Sequence, residues 1–428
     1  MQELITRKSF RHYLFFWIGQ LISLLGSMVV YFVLTFWIAD VYRDPIIASF
    51  ASFLFVFMMI ICMPIAGVVA DRFDRKKVII LVDSGQAFAT FLLIIFFQLG
   101  LANIWIVYVF ISLRSIFQAF HIPIVNAIIP TMVPKDKLAR INGINYLFTG
   151  VVQLFAPFLG AMLLLFFSPY LIFWADIVTF FIALIPLLLI TIPSIAEINH
   201  TEEIVNKISF INDFKIGLKI LKIIPGLMIM LILSMLANFL INPAETLMAL
   251  FIIDVHGGRA GHLALVEIVF TGGIIGGSIL TSVKKNWNNK IRVIFIGMTI
   301  AWIGYMIFAT APVGSFLIMG IGGVTLGFVL PIINSLYQTF IQTNVPPDKL
   351  GRVSSIDSTL SSAISPIGSL VSGPLALLLG IPTLFFYCAL IGIIFTIGFW
   401  CFTGIRNVDL DSKSLADEIN SKIEEIEI

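Results

Sequence analysis

Twelve apolar runs, near 13–41, 46–70, 78–99, 104–133, 141–167, 170–192, 225–253, 262–283, 292–309, 314–342, 353–379 and 382–404, take up almost the whole chain. A helix needs about 20 apolar residues to cross about 30 Å of hydrocarbon at about 1.5 Å per residue, and each run supplies roughly that length. The expected fold is therefore all-α, a membrane protein of 12 transmembrane helices, numbered here spans 1 to 12. Composition agrees: 59% of the 428 residues are apolar and 12% are charged, against about a quarter charged in soluble domains. So little polar sequence remains that a fused ATPase, kinase or nuclease domain is excluded. The first run is too long for a signal-peptide core. Cys62, Cys388 and Cys401 fall in apolar runs without paired spacing, as buried hydrophobes rather than metal ligands or disulfides.

Basic residues test the span count. With the N-terminus cytoplasmic, 23 of the 26 lysines and arginines fall on the inner side, only Arg43 and Arg259 on the outer side, and Arg114 within span 4. Missing or inventing one helix would destroy this alternation, so the pattern predicts a multi-pass cell-membrane protein with both termini cytoplasmic.

The chain also repeats itself. Val133-Pro-Lys-Asp-Lys-Leu-Ala-Arg-Ile141 returns as Val345-Pro-Pro-Asp-Lys-Leu-Gly-Arg-Val353, identical at six of nine positions and offset by 212 residues. Span 5 thereby maps onto span 11, and a six-helix unit is used twice. The expected domains are residues 1–192, a bundle; 193–224, a cytoplasmic linker; 225–404, the second bundle; and 405–428, an acidic cytoplasmic tail. Within the linker, Ile211, Phe214, Leu218 and Leu221 share one helical face beside Lys215, Lys219 and Lys222. That pattern predicts an amphipathic helix lying on an anionic leaflet.

After span 2 the chain reads Gly67-Val-Val-Ala-Asp71-Arg72-Phe-Asp74-Arg75-Lys76-Lys77, which resembles the signature loop between helices 2 and 3 of the major facilitator superfamily. Span 4 carries Arg114-Ser-Ile-Phe117-Gln118-Ala119-Phe-His121, similar to that family's intramembrane-arginine motif. Span 5 carries Gly150, Ala156-Pro157 and Gly160-Ala161, a loose form of the antiporter motif that ordinary small-residue packing also explains. Gln20-Leu-Ile-Ser23-Leu-Leu-Gly26, Phe173-Trp-Ala-Asp176-Ile-Val-Thr179-Phe180 and Asn238-Phe-Leu-Ile-Asn242-Pro243 resemble the drug and macrolide-efflux branch. The resemblance implies two pseudo-symmetric six-helix bundles around a central cavity. It also implies that Gly67, Asp71, Arg72 and Arg75 form a conformational latch. Asp71 opposes the dipole of its own helix C-terminus and needs a positive partner, such as Arg75. The matching stretch Gly277-Ser-Ile-Leu-Thr281-Ser-Val-Lys284-Lys285 lacks the acid, so the latch is one-sided.

A pump that uses no ATP needs a titratable group exposed alternately to the two sides, and such groups are rare in hydrocarbon. Arg114 is one; Glu245, Asp176 and Glu267 are the acids assigned to proton coupling, with Glu245 foremost because Pro243 permits a bend just before it. Asp83 and His121 read either as structural hydrogen-bonding groups or as participants. Gln20, Phe117, Gln118, Asn145, Gln153, Asn238 and Gln338 are the candidate substrate contacts. Together with Asn334, the amides among them are too few for a sugar site. Phe- and Met-rich walls suit an amphipathic cargo instead.

No Gly-Lys dipeptide marks a phosphate-binding loop, and no nucleophile triad or metal-spaced His/Cys set occurs. The chain is thus not an enzyme and needs no cofactor. Its expected partners are the bilayer, protons and a small hydrophobic or amphipathic substrate; nucleic acid is not among them, and the chain acts as a monomer. The expected function is proton-coupled export of macrolide-like compounds by alternating access. The alternatives are a facilitator or importer of a small solute, or a siderophore exporter, on the same fold, and the membrane subunit of an ATPase-driven complex.

Overall fold

A computed structural model describes residues 7–192, 219–221, 223–284, 287–345 and 347–407. The described residues are helical almost throughout, and 12 of the helices are long and apolar enough to cross a membrane. Their bounds run from Phe10–Tyr42, Pro45–Ala70, Arg75–Gln98, Ile104–Ile129, Arg140–Leu164 and Pro169–Leu189 in the first half to Leu227–Val255, Ala260–Val283, Lys290–Ala309, Phe316–Asn344, Lys349–Leu379 and Ile381–Phe402 in the second. Each lies within a few residues of an apolar run. Turn chemistry sets the ends. Asp44 accepts from the amides of Ile46 and Ile47 ahead of Pro45, and Asp74 does the same for Lys76 and Lys77. Asn103 caps span 4 and Asn289 caps span 9.

Three spans are irregular. Span 6 is a four-residue piece, Pro169–Ile172, followed by a fresh helix Trp174–Leu189. Span 11 breaks at Ile364, just before Pro366. Span 7 is helical without interruption through Pro243 and changes only at its far end, into a π-turn at Phe251–Val255. The helix is thus continuous through Pro243, beside which Asn242 accepts a hydrogen bond from the Ser369 hydroxyl.

Two compact units divide the chain, one spanning Met1–Glu202 with Ile252–Ile268, the other Glu203–Phe251 with Val269–Ile428. Inside the first, span 1 packs on spans 5 and 6, and span 4 on spans 2 and 3. Inside the second, span 7 packs on spans 11 and 12, and span 9 on spans 10 and 12. A shift of six spans carries the pairings 1 with 5, 1 with 6 and 3 with 4 onto 7 with 11, 7 with 12 and 9 with 10; spans 3 and 6 also meet, as spans 9 and 12 do.

Each unit has an apolar core. Tyr13, Phe16, Ile79, Ile124, Ile128 and Met132 anchor the first. Ile220, Leu221, Leu227, Phe340, Ile341 and Ile405 anchor the second. Leu221, expected on a membrane-surface face, is fully buried in that core because it joins Ile224 and Leu227 at the entry to span 7. The remaining linker residues up to 218, and the tail from 408, lie outside the described residues. Large apolar side chains such as Leu189, Leu317 and Leu378 stand about 80% exposed. On so hydrophobic a chain they form the surface that meets lipid.

Glycine lets spans 8 and 10 touch. A Cβ on Gly277 would lie 1.9 Å from the Phe328 carbonyl oxygen, and one on Gly327 would lie 2.3 Å from that of Phe270. Gly277, read as part of a loop motif, is thus a packing glycine. Gly277→Ala should lower the thermal midpoint of detergent-purified protein by the equivalent of about 1–3 kcal/mol. Gly272→Ala, which meets nothing within 4 Å, should hold or raise it; equal midpoints for the two variants would contradict the close approach.

Candidate functional site

The first unit carries its polar residues at helical spacing on four facing spans. Gln20, Ser23 and Ser27 lie on span 1; Asp83, Gln86 and Thr90 on span 3; Arg114, Gln118 and His121 on span 4; Asp176 on span 6. Separations of three, four and seven residues put each set on one helix face. Close packing brings the faces together. A Cβ on Gly26 would clash with Thr179 Oγ1 at 2.0 Å and approach Asp176 Cα at 3.1 Å, so glycine there lets span 1 lie against span 6 at Asp176. The two sequence stretches that resemble efflux proteins, around Gly26 and around Asp176, are therefore one packed interface.

Arg114 and Asp176 form a buried ion pair, with Nη1 2.6 Å from Oδ2 and residue exposures of 9% and 3%. The Asp176 carboxylate accepts further bonds from the hydroxyls of Ser27 and Thr90, each at 2.7 Å. Gln86 donates to Ser27 Oγ at 3.1 Å, and Arg114 also donates to Thr90 Oγ1. The break at Phe173 helps: it places Asp176 in the first turn of a new helix, where the macrodipole favours an anion. An ion pair in hydrocarbon survives only with its remaining lone pairs satisfied, and these bonds supply that.

A second cluster adjoins the first. Gln20 donates from Nε2 to Asp83 Oδ2 at 3.3 Å, while its Oε1 lies 2.8 Å from His121 Nε2. His121 Nε2 is also 3.5 Å from Asp83 Oδ1. Between the clusters lies a cavity of about 30 Å³, lined by Ser23, Ser27, Asp83, Gln86, Gln118, His121 and Asp176 together with Leu24, Ala87 and Phe180. Polar walls and that volume accommodate about two water molecules.

The other candidates are not among the residues that line this cavity. Phe117 packs against Gly85, where an added Cβ would meet its ring at 2.5 Å, and so belongs to the apolar wall. Asn145 accepts from Trp17 Nε1 at 2.8 Å. Asn238 donates to the Ser361 carbonyl at 2.8 Å, and Gln153 and Gln338 are exposed. Of the five proposed substrate contacts in the first unit, Gln118 lines the cavity and Gln20 bonds to two residues of its wall; Asn238 and Gln338 belong to the second unit. Glu245, exposed, falls in the second unit, and Glu267, half-buried, in the first. Neither has a hydrogen-bond partner among the described residues.

Of the loop residues, Gly67 has open space around it, and the side chains of Asp71 and Arg72 lie outside the described set. Arg75 donates to the carbonyls of Ala70 at 3.2 Å and Ala127 at 2.7 Å, and Lys76 to those of Leu188 and Ile190. These cations occupy helix C-terminal ends, where the macrodipole favours positive charge. In span 5, Gly160 receives the Phe32 ring, which bears out the packing reading of that residue.

One buried acid escaped the sequence reading. Asp357, 3% exposed in span 11, accepts a hydrogen bond from the Tyr337 hydroxyl. The offset of 212 residues that relates the halves carries Asn145 onto Asp357, so the repeat could have pointed to it.

Buried ion pairs inside a twelve-span, duplicated helical membrane fold define a polytopic transporter rather than an enzyme. The chain belongs to the Major Facilitator Superfamily, whose family profile matches residues 16–369. It is 27% identical over 366 residues to the macrolide efflux protein A of Streptococcus pyogenes, covering 85% of this chain and 89% of that one. Over 306 residues it is 28% identical to the macrolide efflux protein A of Enterococcus faecalis, covering 71% and 93% of the two chains. The solved nucleoside transporter NupG has the same fold, with a TM-score of 0.69 at 14% identity over 91% of this chain and 98% of that one. So does an inward-facing bacterial homologue of ferroportin, at a TM-score of 0.67 and 16% identity, covering 91% and 99%.

Removing Arg114 alone leaves Asp176, 3% exposed, without its counter-ion, at a cost of up to about 3–5 kcal/mol. Arg114→Met should therefore lower the thermal midpoint more than Arg114→Met combined with Asp176→Asn, as read by the stability of the purified protein. Losses in Arg114→Met and in Asp176→Asn alone that simply add up in the double variant would mean that the pair is not energetically coupled.

Proposed function

We propose that this transporter exports hydrophobic or amphipathic compounds of the macrolide type from a bacterial cell, driven by inward proton movement. The observation that carries this reading is the likeness to proteins named macrolide efflux protein A along 85% of the chain. The interior chemistry supports it. A net exporter must move a charge against its cargo, and Arg114, Asp176, Glu245 and Glu267 are ionisable groups held within spans. Glu245 and Glu267, without hydrogen-bond partners among the described residues, fit groups that load and release protons in turn. Arg114 and Asp176 fit a fixed pair that senses that change.

In this reading Gly67, Asp71, Arg72 and Arg75 act as the latch. Gln20, Phe117, Gln118, Asn145, Gln153, Asn238 and Gln338 are the residues from which cargo contacts are drawn. The 23 basic residues gathered on alternate loops support termini on the cytoplasmic side, and the chain acts as a monomer.

Expression in an efflux-deficient bacterial host should raise the erythromycin concentration needed to stop growth, and a protonophore should abolish the protection. Glu245→Gln should lose most of the protection at unchanged protein level. Increased erythromycin accumulation on expression would instead identify an importer, and protection that survives the protonophore but yields to vanadate would identify an ATP-driven partner.

A further inference from the structure

The buried polar centre of the first unit holds more negative than positive charge. Its ionisable members are Arg114, Asp176, Asp83 and His121; no other titratable side chain lines the cavity. Arg114 balances one carboxylate, and its partner is Asp176, at 2.6 Å. Asp83 then has only His121, 3.5 Å away, and the neutral amide of Gln20. With His121 neutral and Asp83 ionised, the cluster carries one uncompensated negative charge. An unpaired charge in such a setting is strongly disfavoured, and a single added proton removes it.

Geometry says where that proton goes. Both Asp176 oxygens already receive donors from Ser27, Thr90 and Arg114, so a hydroxyl there would face a donor. Around Asp83 the donors are fewer and more distant: Gln20 Nε2 is 3.3 Å from Oδ2, and His121 Nε2, whose hydrogen is directed to Gln20 Oε1 at 2.8 Å, is 3.5 Å from Oδ1. The Asp83 carboxylate and the Nδ1 of His121 are therefore the atoms that can take the proton. His121, with 20% of its side chain exposed, also lines the cavity, which gives the proton a water route.

We propose that Asp83 and His121, joined by Gln20, form a binding site for one exchangeable proton, and that this is the proton which the transporter carries through its first unit. The proton comes from water and returns to water; no covalent bond between heavy atoms changes. Only the transport role rests on the exporter reading; the proton site itself stands apart from it. Asp83 and His121 thereby join the ionisable groups assigned to coupling, and Asp176 becomes a fixed counter-ion.

The test uses the full chain, purified without cargo into lipid nanodiscs. Infrared difference spectra taken as pH is stepped from alkaline to acidic, with the variants' spectra subtracted from that of wild type to remove the other acids, should isolate one proton at this site, as a carboxylic acid or imidazolium band. Asp83→Asn should lose that proton. His121→Gln should confine it to the carboxylic acid band and move its midpoint. A titration unchanged in both variants, or lost only in Asp176→Asn, would overturn the proposal. Should Asp83→Asn fail to fold, His121→Gln alone still decides: the proposal requires the carboxylic acid midpoint to move and any imidazolium band to vanish, whereas a carboxyl midpoint and an imidazolium band unchanged from wild type would overturn it.

Erythromycin uptake into everted vesicles completes the test. Asp83→Asn should lose uptake driven by a proton gradient yet keep exchange of labelled for unlabelled erythromycin. Full gradient-driven uptake by Asp83→Asn would sink the proposal and leave the exporter reading intact. Wild type that binds the proton as described but moves no erythromycin would do the reverse.

Discussion

Hydrocarbon solvates neither a charge nor an unpaired backbone amide, and the organisation of this chain follows from that fact. The amides are satisfied within the helices. One pair of charges in the first unit is satisfied internally: Arg114 meets Asp176, and Ser27, Thr90 and Gln86 complete the shell. A residue that cannot be solvated must be neutralised locally, so each buried charge fixes the position of its partner. Spans 3, 4 and 6 are thereby tied together at one depth, and span 1 joins them through Ser27 and Gln20.

Such a centre requires close approach of helices, and small residues permit it. Gly26 admits Asp176 and Thr179 beside span 1, and Gly85 admits the Phe117 ring beside span 3. The break in span 6 contributes by giving Asp176 a helix N-terminus of its own. Stability and charge placement are therefore a single problem: the contacts that hold the bundle are those that keep its ionic groups dry or in contact with a small cavity. In the second unit the polar centre is sparser. Tyr337 with Asp357 and Asn242 with Ser369 are neutral or singly acidic contacts.

Much of the fold was legible in the chain before any coordinates. Every apolar run became a span because a run of about 20 residues admits no other solution in a bilayer. Arg114 could be picked out because an arginine within a span must have a reason to be there. Its partner was less visible. Asp176, Glu245 and Glu267 looked alike as acids in apolar runs, yet one is ion-paired and the other two lack hydrogen-bond partners among the described residues. Pro243 lies inside a continuous helix, which the residue type alone does not decide, because a proline within a span can be accommodated where neighbouring groups satisfy the freed carbonyl. Leu221 followed an amphipathic pattern that suits a membrane surface equally well as a protein core, and only its neighbours distinguish the two.

What the sequence determined by itself was one-dimensional: the number of spans, their lengths, the repeated nine-residue motif and which loops bear positive charge. These depend on hydrophobic length and local charge, which are properties of consecutive residues. What only the tertiary structure decided was which polar faces meet. Gln20, Asp83 and His121 are 63 and 38 positions apart along the chain yet share hydrogen bonds. Helix rotation and packing set that meeting, and both depend on contacts between residues far apart in sequence, whose pairing no local pattern encodes.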